Sequence, residues 1–148
     1  MAGNSHWLKT NSQKHTTMNQ RIAHIALLVK DYDEAIEFYT KKLKFNLLED
    51  TQLSETKRWV LLAPPGLGNC GLLLAKAVGE EQESRVGNQT GGRVFLFMHT
   101  DNFLRDFQNL VSNGVEIRRQ PSVEEYGTVA VFADLYGNLW DLVEPKKT

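Results

Sequence analysis

His24 and Asp141 are the side chains best placed to do chemistry in this 148-residue chain. Each is an ionisable group set in an apolar run, Ile22-Ala23-His24-Ile25-Ala26-Leu27-Leu28-Val29 for the first and Leu139-Trp140-Asp141-Leu142 for the second. Taken singly, His24 reads as a hydrogen-bonded core histidine and Asp141 as a carboxylate satisfied by a turn amide or an arginine. Brought together, the carboxylate would raise the imidazole's affinity for a proton, and the charged pair could hold a polar ligand group without a metal. Cys70 is the one cysteine, which excludes an intrachain disulfide and a multi-cysteine zinc site, and it reads as a small apolar strand residue. The chain has no Gly-x-Ser-x-Gly turn, Walker loop or dinucleotide fingerprint, so nothing supports nucleophilic or nucleotide chemistry.

Further polar residues are candidates for the edge of a binding site. Arg58 and Trp59 are adjacent on one expected strand, so their side chains face opposite ways and only one of them looks inward. Arg93 follows Gln89-Thr90-Gly91-Gly92, where the double glycine admits close backbone approach but is too short for a phosphate loop. Glu124-Glu125-Tyr126-Gly127 forms a charged approach to a strand.

The elements that must position these residues are written twice. The first copy runs from the His24 strand through Asp31 and Ala35-Ile36-x-Phe38-Tyr39 to Leu43-Lys44-Phe45. The second runs from Val94-Phe95-Leu96-Phe97-Met98 through Asp101 and Phe103-Leu104-x-x-Phe107 to Gly114-Val115. The spans Asp31 to Phe45 and Asp101 to Val115 are equal, which marks an internal repeat. Periodicity predicts strands near 21–29, 45–48, 58–62 and 71–75 and a helix over 33–43 capped by Asp31 or Asp33. The second half repeats the order, with strands near 92–99, 115–119, 128–133 and 138–144 and a helix over 101–112 stopped by Gly114. Pro64-Pro65-Gly66-Leu67-Gly68-Asn69 must be a loop. The expected organisation is a flexible extension over 1–20 that includes His6 and His15, a first βαβββ module over 21–76, a linker over 77–91 and a second module over 92–148.

Composition narrows the function class. At 41% hydrophobic and 24% charged, the chain suits one globular unit, and a net charge of −1 with interspersed signs offers no basic stripe for nucleic acid. No stretch reaches the roughly 18 to 20 apolar residues of a membrane span, and residues 1–20 lack the apolar segment of a secretory signal. A cytoplasmic protein with no nucleic-acid or membrane partner is expected.

The paired βαβββ pattern, with His24-Ile25-Ala26-Leu27-Leu28-Val29, Ala35-Ile36-x-Phe38-Tyr39 and the closing Asp134-Leu135-Tyr136-Gly137-Asn138-Leu139-Trp140-Asp141-Leu142, resembles the vicinal oxygen chelate superfamily. That group includes glyoxalase I, extradiol dioxygenases, fosfomycin-modifying enzymes and bleomycin resistance proteins. The resemblance implies an α+β fold of two tandem βαβββ modules, forming a curved mixed sheet around a cleft, and a homodimer. Metal-dependent members draw ligands from four strand places, which carry across to His24, Leu73, Val94 and Asp141. Leu73 and Val94 cannot ligate, and His24 with Asp141 falls short of the about three donors a catalytic divalent metal needs. Strand alternation places Val94, Leu96 and Met98 together on the face equivalent to His24 and turns His99 away.

Three readings follow. The first is a metal-free module that binds a small, partly aromatic or cationic molecule beside His24, Trp59, Arg93, Trp140, Asp141 and neighbours on the Phe97 side, with no cofactor. The second is a divergent metal-dependent lyase, isomerase or dioxygenase that borrows ligands such as Gln89 or Glu125. The third is an interaction scaffold whose cleft is occluded.

Overall fold

Asp31 sets the first turn of the first module. Its extended backbone and its carboxylate, which accepts from the Glu34 amide at 2.8 Å, start helix α1 (Tyr32–Glu37) directly after strand β1 (His24–Val29). The structure is a computed structural model that describes residues 17–148, so the readings made for His6 and His15 fall outside the described residues. Strands β2 (Asn46–Gln52), β3 (Arg58–Ala63) and β4 (Gly71–Lys76) complete the first sheet. Helix α2 (Gly79–Arg85) lies between the halves. Strand β5 (Val94–His99), helix α3 (Phe103–Ser112) and strands β6 (Glu116–Glu124), β7 (Gly127–Ala133) and β8 (Leu139–Pro145) repeat the pattern.

The two sheets have the same strand order, β1-β4-β3-β2 and β5-β8-β7-β6. Each is mixed, because the first strand of a module pairs in parallel with its last while the other pairs are antiparallel. A parallel pair needs a crossover, which α1 and α3 begin. The fold is therefore α+β, with two four-stranded sheets and no closed barrel. No helix among the described residues is long and apolar enough to cross a membrane.

One expected helix is two kinds of turn. Beyond Glu37 the backbone widens into a π turn over Phe38–Lys42, and Leu43 N–H bonds to Phe38 O at 3.3 Å. Phe38 and Tyr39 are consecutive and both buried there, and the aromatic pair reaches from α1 toward the second module. Lys44 then leaves the helix at φ 65, the one non-glycine residue with positive φ among those described.

The core lies where the inner faces of the two sheets converge. Leu27, Val29, Val60, Leu62 and Leu74 meet α1, and Phe132, Trp140 and Leu142 meet α3 and the π turn. Trp140 is the junction, with ring centroids 5.8 Å from Phe45, 6.0 Å from Phe132 and 6.1 Å from Tyr39. Its indole N–H lacks a hydrogen-bond partner, the one such buried side-chain atom among the described residues, although it lies within electrostatic reach of the Tyr39 hydroxyl.

Candidate functional site

The stretch with the most distinctive sequence, Asp134 to Asn138, closes the loop before β8 rather than presenting chemistry to solvent. Asp134 is buried, and its Oδ1 accepts the backbone N–H groups of Tyr136, Gly137 and Asn138 at 2.9, 3.0 and 2.9 Å. Oδ2 accepts from Asn138 Nδ2 at 2.9 Å and from the Tyr39 hydroxyl at 2.7 Å. Gly137 at φ 103 supplies a turn that other residues would strain to make. Tyr39 comes from the first module, so this carboxylate ties the halves together. A second tie joins Tyr136 Oη to Glu34 Oε2 at 2.8 Å.

Burial, and then the neighbouring Asp134 charge, push the Tyr39 phenol well above its usual range. The folded chain thus holds Tyr39 neutral where the unfolded chain would begin to ionise it. Its stabilising contribution is complete below the unfolded value of about 10 and is lost as pH rises above that. We expect Tyr39→Phe to unfold more easily at pH 7 through loss of the bond to Asp134, and to show a shallower alkaline decline above pH 10. Denaturant titrations at pH 7 to 11 check this, and an unchanged alkaline slope would contradict it.

His24 lies on the outer face of the first sheet, the face turned away from the helix and core. Register puts Ala26, Leu73, Leu61 and Trp59 on that face with it. The His24 and Trp59 rings meet edge to face with centroids 6.2 Å apart. Gly71 stands opposite His24 on β4, and a Cβ there would approach Leu61 Cδ1 to 2.7 Å and His24 Nδ1 to 3.3 Å, so glycine leaves the imidazole its place. Trp59 is thus the member of the Arg58–Trp59 pair on the His24 face. Arg58 points to the other side, where Asp33 and Asp50 hold its guanidinium at 2.9 and 2.7 Å above the Tyr32 ring.

Asp141 lies on the outer face of the second sheet, and there the expected side-chain alternation fails. The β5–β8 register runs Val94 with Leu139 and then Leu96 with Trp140, so one extra residue bulges between them. Phe95, Leu96 and Met98 all pack toward the core, while Phe97 stands opposite Asp141 and His99 follows on the same face. Leu96 and Met98 are therefore not on the face equivalent to His24, and His99 is not turned away from it. Phe97 is 66% exposed. Asp141 itself is half-buried, and burial moves its carboxyl above the ordinary range, opposed by the charge of Arg119. Arg119, Ser122 and Glu124 lie on β6, beyond β7, with Arg119 bound to Glu124 at 2.9 Å and to Ser122 at 3.2 Å. Sequence reading turned His99 away from the site and missed Arg119, since an irregularity of one residue leaves no mark in an apolar run.

Within one chain His24 and Asp141 therefore belong to different outer faces, and they form no ion pair. Arg93 is exposed beside a small recess of about 140 Å³ that Arg118 and Gly92 also line. Gln89, considered as a donated ligand, is committed elsewhere. Its Oε1 accepts from Leu28 N at 2.5 Å and its Nε2 donates to Ala26 O at 3.1 Å, so the carboxamide completes the free edge of β1 as a peptide would. Among the described residues, no three His, Cys, Asp or Glu side chains gather where one metal could sit. At the four strand places that hold metal in metal-dependent relatives, one chain offers a lone donor on each sheet, a poor fit to a divalent metal.

The comparisons bear on the family and the fold. The profile of the Glyoxalase/Bleomycin resistance protein/Dioxygenase superfamily matches residues 21–142. An uncharacterized protein from Shewanella frigidimarina (strain NCIMB 400) is 57% identical over 128 residues, spanning 86% of this chain and 95% of that protein. The crystal structure of UcmS2 superposes with a TM-score of 0.75 at 28% identity, over 86% of this chain and 99% of that one. TnmS3, an antibiotic binding protein from Streptomyces sp. CB03234, superposes with a TM-score of 0.71 at 26% identity, over 88% and 99%. With the repeated modules, the shared strand order and the matched span, the chain belongs to the Glyoxalase/Bleomycin resistance protein/Dioxygenase superfamily.

Proposed function

We propose that the protein is a metal-free cytoplasmic binding protein for a small, partly aromatic molecule, held between the outer face of the first sheet and that of the second. The two faces belong to opposite sides of one chain's core, so a homodimer supplies the cleft, each copy giving one face to each site. The observation that carries this reading is the exposed Phe97, set with Asp141 and His99 on one sheet, while the other offers Trp59 and His24 among aliphatic side chains. Large aromatic surface with a few polar groups suits a flat, mainly apolar ligand that needs orienting. Likeness to TnmS3, an antibiotic binding protein, supports a small-molecule ligand.

The test is calorimetric titration with a panel of polycyclic aromatic antibiotics, alongside sedimentation equilibrium of the free protein. Saturable binding at one molecule per copy, by a dimer, is expected. A strictly monomeric protein that binds none of the panel would overturn the reading. His24→Ala should weaken binding at least tenfold while shifting unfolding by under about 1 kcal/mol, since an exposed residue carries little of the fold. Equal loss of affinity and stability would make His24 structural. Asp141→Asn removes a charge that burial disfavours, so its melting temperature at pH 7 should not fall; unaltered affinity would deny Asp141 a part in recognition.

A metal-dependent activity is the second reading, favoured by the bulge that turns His99 onto the Asp141 face, two residues beyond Phe97. With His24 of a second copy, three donors would be available. Elemental analysis of protein purified without a metal-binding tag separates the two. Trace metal is expected, whereas near-stoichiometric metal lost in His99→Ala would establish the second reading.

A further inference from the structure

A large cavity opens on the inner side of the sheets, away from the His24 and Trp59 side chains. Its volume is about 960 Å³, within the range that takes a drug-sized molecule. The edge strands β1 and β5 bound it, Ile25, Leu72, Leu96, Met98, Trp140 and Leu142 form an apolar floor, and Phe97 and His99 reach its mouth from the outer face of β5. Met98 adds a side chain that adapts to irregular shapes.

The rim defines what this floor accepts, because most of its polar groups already have partners. Asp101 and Asp106 hold Arg105 at 2.9 and 2.9 Å, and the Thr100 hydroxyl is bonded to Asp106. Asn69 Nδ2 donates to Pro64 O at 3.1 Å and to Pro65 O at 3.2 Å, while Asn109 Nδ2 donates to Lys42 O at 2.8 Å. Lys44 is exposed, and with Arg105 it balances the two carboxylates. A rim whose charges cancel, with most of its hydrogen bonds made, neither demands nor rewards a charged ligand. We infer that this inner cavity is a second binding site, beside the outer face of the second sheet and meeting it at Phe97 and His99, for a neutral and mainly apolar small molecule.

Cys70 lines the cavity, is half-buried and is the only thiol in the chain, so it reports occupancy. The experiment titrates the full chain with neutral N-phenyl-1-naphthylamine, followed by fluorescence, and measures Cys70 modification by 5,5′-dithiobis(2-nitrobenzoate) with and without probe. Saturable binding is expected, with Cys70 reacting at least tenfold more slowly at saturation. Ile25→Trp and Met98→Trp, which fill the space from opposite strands, should each weaken the probe tenfold or more with the circular dichroism of the native fold. Trp59→Ala, on the outer face, should leave probe affinity unchanged. Should either filling variant not fold, Cys70 protection in the native chain decides. Saturation without protection, or affinity lost in Trp59→Ala and retained in the filling variants, would assign the probe to the outer faces and overturn the inference without touching the proposed function. Binding that weakens as protein concentration rises would overturn it too, by showing that a second copy covers the cavity.

Discussion

Asp134→Ala is expected to lower unfolding stability by about 3 to 5 kcal/mol, because several buried donors lose their acceptor at about 1 to 3 kcal/mol each. The carboxylate accepts three backbone N–H groups and two side-chain donors, and alanine can replace none of these bonds. Against total stabilities of about 5 to 15 kcal/mol for native proteins, such a loss decides whether the chain folds at physiological temperature. Asp134→Asn keeps the shape and can accept the backbone donors with one atom, but its amide would face the Tyr39 hydroxyl or Asn138 Nδ2 as a further donor. It should therefore fall between wild type and alanine. Urea titrations followed by circular dichroism measure the order, and a loss under about 1 kcal/mol for alanine would show that water replaces the carboxylate at no great cost.

That expectation explains why this stretch was so legible in the sequence while its role was not. Asp134, Gly137 and Asn138 stand together because a tight turn, an inter-module tie and a positive φ need those residue types, which is a constraint of folding. Strand order was legible for a similar reason. Equal spacing from Asp31 to Phe45 and from Asp101 to Val115 reflects one helix crossing one sheet in each half, and the sheets share one order. Polar edges were less readable. β2 extends to Gln52 and β6 to Glu124, beyond the expected ends, because edge strands expose both faces and lose alternation; Pro121 sits at a register shift in β6, where a missing N–H is tolerated. The candidate site suffered most. His24, Trp59 and Asp141 followed from strand phase, but the bulge in β5 changes phase after Val94 and moves Phe97 and His99 to the Asp141 face. Alternation is a rule about regular ladders, and this ladder is interrupted beside the site.

Phe97→Asp should separate the copies and abolish ligand binding while leaving the single chain folded. Phe97 is 66% exposed on an edge strand, so its replacement removes little buried area within one chain, and a change of under about 1 kcal/mol in unfolding is expected. In a pair of copies the same ring would be a central aromatic anchor, the kind of residue whose loss is felt most at an interface. The new carboxylate would stand opposite Asp141, whose own charge burial already disfavours, with Arg119 held by Glu124 and unable to neutralise both. Association should weaken at least 100-fold, about 2.8 kcal/mol, and the cleft that two faces create should disappear with it. Phe97→Tyr keeps the ring and should preserve both the pair and the affinity. Sedimentation equilibrium reads the first effect and titration with a polycyclic aromatic antibiotic the second. If Phe97→Asp stays paired and still binds, the outer face of the second sheet is not where the copies meet. A monomer that retains full affinity would place recognition within one chain.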